Sequence, residues 1–338
     1  MSHNAGLRAA SKAKNDEFYT QRVDIENELA HYVDHFRGKT VYCNCDDPVT
    51  SEFWRFFVRV FQPWGLKKLI ATHYEPDAQN FSYKLELEPG ADGQVDMLAE
   101  PVKTPLPCNG DFRSAACIEL LKEADIVVTN PPFSLFREYV AQLMEYGKKF
   151  LIIGNMNAIT YKEFFPLLKD NLVWPGVTFN KTMEFIMPDG YRLRGKAYID
   201  ADGKKHGFVP GVCWFTNLDI QKRHQPLDLR GNYYHGNEAA YPRYDNYDAI
   251  EVSKTADIPS DYDGVMGVPI SFFDKYCPEQ FEILGVTDRN AQYGFRIRVY
   301  TADDCSNYNE LNRGPVLKTM SSYKVVYTRI FIQRKKGA

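Results

Sequence analysis

The chain has no apolar run approaching the roughly 18 consecutive residues that a membrane-spanning helix requires. Its start, Met1-Ser2-His3-Asn4-Ala5-Gly6, lacks the apolar core of a secretory signal. Cysteine is sparse, with seven residues and no paired ligand spacing beyond Cys43-x-Cys45. A metal at that pair would need two further ligands, and none is spaced to supply them. An odd cysteine count in a chain of 338 residues points to reduced thiols. Together these absences predict a cytoplasmic protein with no membrane partner and no metal. A dominant charge sign is also missing. With a formal net charge of -3, any phosphate-binding surface must be a local patch rather than the whole molecule. Internal repeats and low-complexity tracts are absent too.

What is present is a large apolar inventory. A hydrophobic fraction of 44% permits a sizeable core, and the length suits a catalytic domain with a smaller second one. Tyr and Phe, at 22 each, suit base stacking as well as an ordinary core. The most informative stretch is Asn130-Pro131-Pro132-Phe133, which follows the apolar run Ala124-Asp125-Ile126-Val127-Val128-Thr129. That run reads as a buried parallel strand. From average residue usage, such a tetrapeptide arises in a chain of this length on the order of once in a few hundred chains. A proline-rich turn after a core strand is the plain alternative, and the flanks argue against it. Phe136, Tyr139, Val140, Leu143 and Met144 then fall at helical spacing, and Lys149 to Gly154 reads as a further strand. Strand, site, helix, strand is the rhythm of an open α/β sheet, whose ligands sit at the strands' carboxyl ends. Chemically, Asn offers an acceptor and two donors for an exocyclic amine. Pro removes backbone donors and fixes carbonyls toward a ligand, and Phe offers a ring face. Together they can grip a planar amine while its nitrogen attacks an electrophile, usually the methyl of S-adenosylmethionine.

Other strand ends carry matching groups. Thr40 to Cys45 reads as the first core strand and ends in Asn44-Cys45-Asp46-Asp47-Pro48. Ser51 can cap a helix bearing Phe53, Trp54, Phe57, Val58 and Phe61. Lys68 to Tyr74 reads as the second strand, and Glu75 at its end is placed to accept from two ribose hydroxyls. Residues 76 to 108 read as an inserted hairpin. Asp111 can accept from an adenine amine with Phe112 against the ring. Each acid alone reads as a solvated loop carboxylate, but four such points ordered around one sheet edge are hard to ascribe to chance. Beyond Trp174 the pattern becomes Gly/Tyr-rich, and residues 219 to 317 are loop-rich.

These residues carry a resemblance. Asn15 to Thr20, Val41 to Pro48, Gly110 to Phe112, Asp125 to Phe133 and Val212 to Asn217 are similar to adenine-specific DNA methyltransferases of the EcoRI-methylase type, with the gamma order of motifs. The similarity covers residues 15 to 217 well, and more thinly the stretch from Met266 to Gly285. It implies an α/β, Rossmann-like S-adenosylmethionine-dependent methyltransferase sheet with a loop-rich carboxyl-terminal recognition region. The implied domains are 1–218 for cofactor and catalysis and 219–338 for target recognition, with the last strand rejoining the core. Phe18, Tyr19 and Thr20 then border the methionine end of S-adenosylmethionine, and Asn44, Cys45, Asp46, Glu75, Asp111, Phe112 and Asn130 are further cofactor contacts. The catalytic residues are Asn130, Pro131, Pro132 and Phe133. The usual glycine-rich turn after the first strand is replaced by Asp46-Asp47-Pro48-Val49-Thr50, as in the EcoRI branch. That leaves open which of residues 44 to 47 touches cofactor.

The implied reaction flips an adenine out of double-stranded DNA and methylates N6, for restriction–modification or epigenetic marking, by a monomer paired with a separately encoded endonuclease. Arg289, Arg296, Arg298 and Arg313 are the expected DNA contacts, because Arg forks match guanine edges and phosphates. Arg296 and Arg298 alternate on an expected strand and would share a face. Two rival readings stand beside this one. The first is an RNA or protein-glutamine amino-methyltransferase; the second is a non-catalytic nucleic-acid-binding protein.

Overall fold

A computed structural model describes residues 19–45, 47–75, 81–90, 93, 102–187, 197–287, 292–319 and 322–336. The chain forms two compact units, residues 1–156 with 175–218, and residues 157–174 with 219–338.

The first unit is built on strands of which the central ones are covered on both faces. In chain order they are β1 (Tyr19–Thr20), β2 (Thr40–Cys43), β3 (Lys68–Thr72), β4 (Tyr83–Leu87), β5 (Thr104–Pro105), β6 (Ile126–Thr129), β7 (Lys149–Asn155), β8 (Trp174–Pro175), β9 (Met183–Met187), β10 (Ala197–Ile199), β11 (Lys205–Val209) and β12 (Val212–Thr216). Every residue of β2 and β6 is buried, as parallel strands between helical layers require. The main sheet runs β5-β4-β3-β2-β6-β7-β12-β8. Its centre is parallel, β3-β2-β6-β7, with Val41 beside Ile126 and Val127 beside Phe150. Chain order in that centre reverses between β2 and β6. A doubly wound α/β sheet binds ligands outside the carboxyl ends of the two strands that flank such a switch point. Of the expected hairpin at 76 to 108, β4 and β5 pair antiparallel and extend the sheet beyond β3, while residues 76–80, 91–92 and 94–101 lie outside the described residues.

The crossover helices follow the sequence pattern. Ser51 caps Glu52–Trp64 by accepting from the Phe53 N–H, and Phe53, Trp54, Phe57 and Phe61 are buried. Phe136–Glu145 buries Phe136, Tyr139, Val140 and Leu143. No described helix is long and apolar enough to cross a membrane. Among the described residues, Glu86, Glu88 and Glu123 converge, but the Lys68 ammonium lies 2.6–2.8 Å from all three and occupies the centre of the cluster.

A smaller sheet, β1-β9-β11-β10, carries the amino-terminal segment. Glu28, fully buried in the helix Arg22–Leu29, accepts from the backbone N–H groups of Val177 and Thr178, from the Thr178 hydroxyl and from the Tyr32 hydroxyl. This satisfied carboxylate fixes the chain before β9. In the same helix, Asp24 accepts from the Glu184 N–H. Burial pushes the Asp24 carboxyl up to about 6; the Glu184 carboxylate adds to this, and the Glu184 N–H and Lys181 oppose it. A carboxyl raised above its unfolded value contributes stability below about pH 4, and that stability is lost as pH rises through 6. Asp24→Asn is therefore expected to stabilise the protein by about 1 kcal/mol at pH 8, with the partial exposure allowed for, by about half of that at pH 5, and to have little effect near pH 3. Thermal melts across these pH values check this; equal shifts at pH 8 and pH 3 would show that Asp24 titrates normally.

The second unit has its own sheet. Its strands are β13 (Ile250–Glu251), β14 (Met266–Pro269), β15 (Phe281–Val286), β16 (Val316–Lys318), β17 (Tyr323–Val325) and β18 (Arg329–Arg334), ordered β13-β14-β18-β15 with β16 and β17 as a separate pair. The terminal strand β18 pairs with β14 and β15 and so lies in this sheet, not in the main one where it was expected. The buried Arg329 pairs with Glu251 at 2.6 Å, which Tyr244 also contacts. Breaking such a pair would strand a buried charge.

Candidate active site

The site grows from the carboxyl ends of β2, β3 and β6. Strand β6 ends in Asn130, only 8% exposed, and Pro131 is buried behind it. Phe133 is half-buried and opens the one-turn segment Phe133–Leu135 that leads into the helix Phe136–Glu145. Two prolines prevent the helix from starting earlier, so the tetrapeptide remains a rigid corner at the sheet edge. Across the switch point, β2 ends in buried Asn44 and half-buried Cys45. The Cys45 N–H donates to the Thr129 hydroxyl at 3.1 Å, tying the end of β2 to the residue just before Asn130.

Beyond the turn after β2, Asp47 accepts from the Tyr83 hydroxyl at 3.0 Å. His73 stacks on Tyr83 and lies 3.6 Å from both Asp47 and Glu75. Glu75 is fixed by its backbone, which donates to the Asn109 carbonyl at 2.8 Å. The next residue, Gly110, has a φ of +80°, and a Cβ there would lie 2.1 Å from the His73 carbonyl oxygen. Only glycine allows that approach. It lays the 108–112 loop on the end of β3 and brings Glu75, Asp111 and Phe112 to one edge.

Asp111 is more committed than the sequence suggests. Its carboxylate accepts from the Arg113 backbone N–H at 2.9 Å, from Nε at 2.8 Å and from Nη2 at 2.6 Å. The Arg113 guanidinium holds its carboxyl below the usual range, so it is ionised at neutral pH. With about four acceptor positions on a carboxylate, about one remains for a ligand. Phe112 is buried, with its ring edge-on to Tyr139 at 5.0 Å. Thr20 is buried in β1, and its hydroxyl has no hydrogen-bond partner among the described residues. Phe18, Asp46 and Arg289 lie outside the described residues, and for Tyr19 only the backbone in β1 is described.

The arginines of the second unit behave differently from the expectation. Residues 295 to 300 form an extended segment with an isolated bridge at Arg296, not a ladder strand. Arg296 and Arg298 do share a side, and it is the inner one. Arg296 donates to the Asn312 side chain at 2.7 Å. Arg298 pairs with Asp245 at 2.8 Å and with Asp304. The outward residues are Ile297 and Val299, each more than 60% exposed. Arg313 is exposed just beyond the short helix Tyr308–Leu311 and pairs with Glu310 of that helix at 2.8 Å. Sequence reasoning also passed over Thr129, Gly110 and Tyr139 as individual residues. A Gly directly before an acidic-aromatic pair was the available signal for Gly110. Nothing local marks Thr129 or Tyr139.

A family model described as "Adenine-specific methyltransferase EcoRI" matches residues 6–335. Type II methyltransferase M.EcoRI of Escherichia coli is 50% identical over 296 residues, covering 84% of this chain and 90% of that protein. Type II methyltransferase M.MpnI of Mycoplasma pneumoniae is 45% identical over 279 residues, covering 81% and 83%. Type II methyltransferase M.MgeORF184P of Mycoplasma genitalium is 41% identical over 280 residues, covering 81% and 84%. No solved structure matches the chain.

Proposed function

The chain belongs to the EcoRI family of adenine-specific methyltransferases, and from that premise we propose that it methylates N6 of an adenine flipped out of double-stranded DNA. The observation that carries the reading is the placement of Asn130 at the end of β6, bound through Thr129 to the end of β2 across the switch point. The methyl donor is S-adenosylmethionine. The chain's donor set fits it: a buried hydroxyl at Thr20 with no partner among the described residues, the Asn44 amide, the Glu75 carboxylate for ribose hydroxyls, and Asp111 with Phe112 for an adenine. When bound, S-adenosylmethionine supplies an electrophilic methyl group.

The protein's own contribution is positioning. Unstacking the target adenine costs a few kcal/mol, and Phe133 offsets part of that by stacking on the extruded ring. The Asn130 side-chain oxygen and the Pro131 carbonyl accept the two N6 hydrogens. These acceptors draw the amine toward a tetrahedral shape and turn its lone pair toward the methyl. No base of shifted pKa is needed, since the methylated amine loses its proton readily afterward. Catalysis is mostly orientation and electrostatics. An aromatic platform is worth roughly 1–3 kcal/mol per base, so Phe133→Ala is expected to weaken capture of the flipped adenine and Phe133→Trp less so. Fluorescence of 2-aminopurine at the target position reads this; an unchanged signal in Phe133→Ala removes the role.

The second unit is assigned to target recognition. Arg313 and Arg289 are the proposed phosphate contacts; for Arg313, an exposed ion pair such as that with Glu310 is weak enough to exchange for phosphate. Arg296 and Arg298 instead hold the segment that presents Ile297 and Val299. The enzyme is read as a monomer acting in the cytoplasm, as the modification half of a restriction–modification system with a separate endonuclease. Transfer of labelled methyl to DNA, with N6-methyladenine recovered on hydrolysis, is the expected result. Labelling of RNA or protein with DNA left unlabelled would overturn the assignment.

A further inference from the structure

Tyr139 lies on the buried face of the helix Phe136–Glu145 and is fully inaccessible. Its ring belongs to the core. Its hydroxyl does not end there: it donates to Oδ1 of Asn44, which is 3% exposed at the tip of β2. The same Oδ1 accepts from the Cys45 thiol at 3.5 Å. Both donors therefore engage the oxygen end of the Asn44 carboxamide, and the NH2 end makes no hydrogen bond to any described residue. That NH2 is left for water or a ligand to satisfy. A buried tyrosine also needs a partner for its O–H, so the contact fixes both groups at once.

We propose that Tyr139 is a positioning residue that locks the Asn44 carboxamide with its NH2 presented as a donor at the switch point. The inference rests on the methyl-transfer reading and specifies the polarity of one subsite. An amide free to turn offers an oxygen or an NH2; one held through its oxygen offers only the NH2. The group it suits is a hydrogen-bond acceptor that carries negative charge, and the α-carboxylate is the anionic group of the methyl donor. Tyr139 also contacts Phe112 edge-on, and the neighbouring Gln142 side chain donates to the Phe112 carbonyl at 3.2 Å. One helix thus registers the end of β2 and the 108–112 loop against the catalytic corner from which it starts.

The test is calorimetric binding of S-adenosylhomocysteine to the full chain, which needs no turnover. Tyr139→Phe keeps the ring against Phe112 and removes only the hydroxyl. It is expected to weaken binding about tenfold, near the effect of a single lost hydrogen bond. Asn44→Ala is expected to weaken binding at least as much. Adding Tyr139→Phe to Asn44→Ala should then cause no further loss of affinity, because the hydroxyl acts through Asn44, while any loss of melting temperature should persist. Asn44→Asp keeps an acceptor for Tyr139 but replaces the donor with a charge, and it should bind more weakly than Asn44→Ala. Wild-type affinity in Tyr139→Phe, additive losses in the double variant, or Asn44→Asp binding as well as wild type would each overturn the proposal. Failure of the wild-type chain to bind S-adenosylhomocysteine is a separate outcome, and it would overturn the methyl-donor reading itself.

Discussion

Asn130→Ala is expected to reduce methyl transfer by about a thousandfold or more while leaving the fold intact. The loss of about 4 kcal/mol is the scale found when one pre-oriented polar group is removed from a transition state. The physical reason is that Asn130 holds an amine in the shape it has only when reacting. A ground-state adenine amine is planar, with its lone pair spread into the ring. Acceptors for both hydrogens favour the pyramidal form, so the side chain acts more on the transition state than on the bound base. The fold is spared because Asn130 sits at a strand end and β6 keeps its pairing to β2 and β7 without it. Single-turnover transfer with saturating donor and DNA measures the chemical step. Turnover within a few fold of wild type would remove Asn130 from the mechanism.

Gly110→Ala should be strongly damaging although it lies outside the catalytic corner. The new Cβ would lie 2.1 Å from the His73 carbonyl oxygen and 2.9 Å from its carbon. Both are backbone atoms at the end of β3, so no rotamer change relieves the clash. The left-handed φ of +80° adds a cost of roughly 1–2 kcal/mol for any residue with a Cβ. The loop must then move away from β3, carrying Asp111 and Phe112 from Glu75. Loss of about 3 kcal/mol of stability is expected, together with a fall in affinity for S-adenosylhomocysteine of at least tenfold. Gly147→Ala is the control. It shares a left-handed φ of +61°, yet a Cβ there would meet nothing within 4 Å. That variant should lose only about 1 kcal/mol and keep its affinity. Equal effects of the two substitutions would show that backbone strain, not the close approach to His73, decides the outcome.

The sequence by itself determined whatever depends on neighbours along the chain. Apolar runs of strand length, a Ser before an amphipathic stretch and the prolines of Asn130-Pro131-Pro132-Phe133 are local signals, and β2, β3, β6, β7 and the intervening helices appear where they predict. Their alternation dictates a parallel sheet, and the order of polar residues at the strand ends places a site at one edge. Only the tertiary structure decided questions of facing and of partnership at long range. Period-two spacing puts Arg296 and Arg298 on one side, but not on which side; Asp245, Asp304 and Asn312 drew them inward because a carboxylate or amide there satisfies the guanidinium. The contact of Gly110 with His73 joins positions 37 apart, and that of Tyr139 with Asn44 joins positions 95 apart. In the helix, Tyr139 reads as one more apolar residue, since periodicity reports that a side chain is buried and carries no information about what its hydroxyl meets. The terminal strand shows the same division: its apolar residues Ile330, Phe331 and Ile332 required a sheet, and pairing with β14 and β15 decided which one.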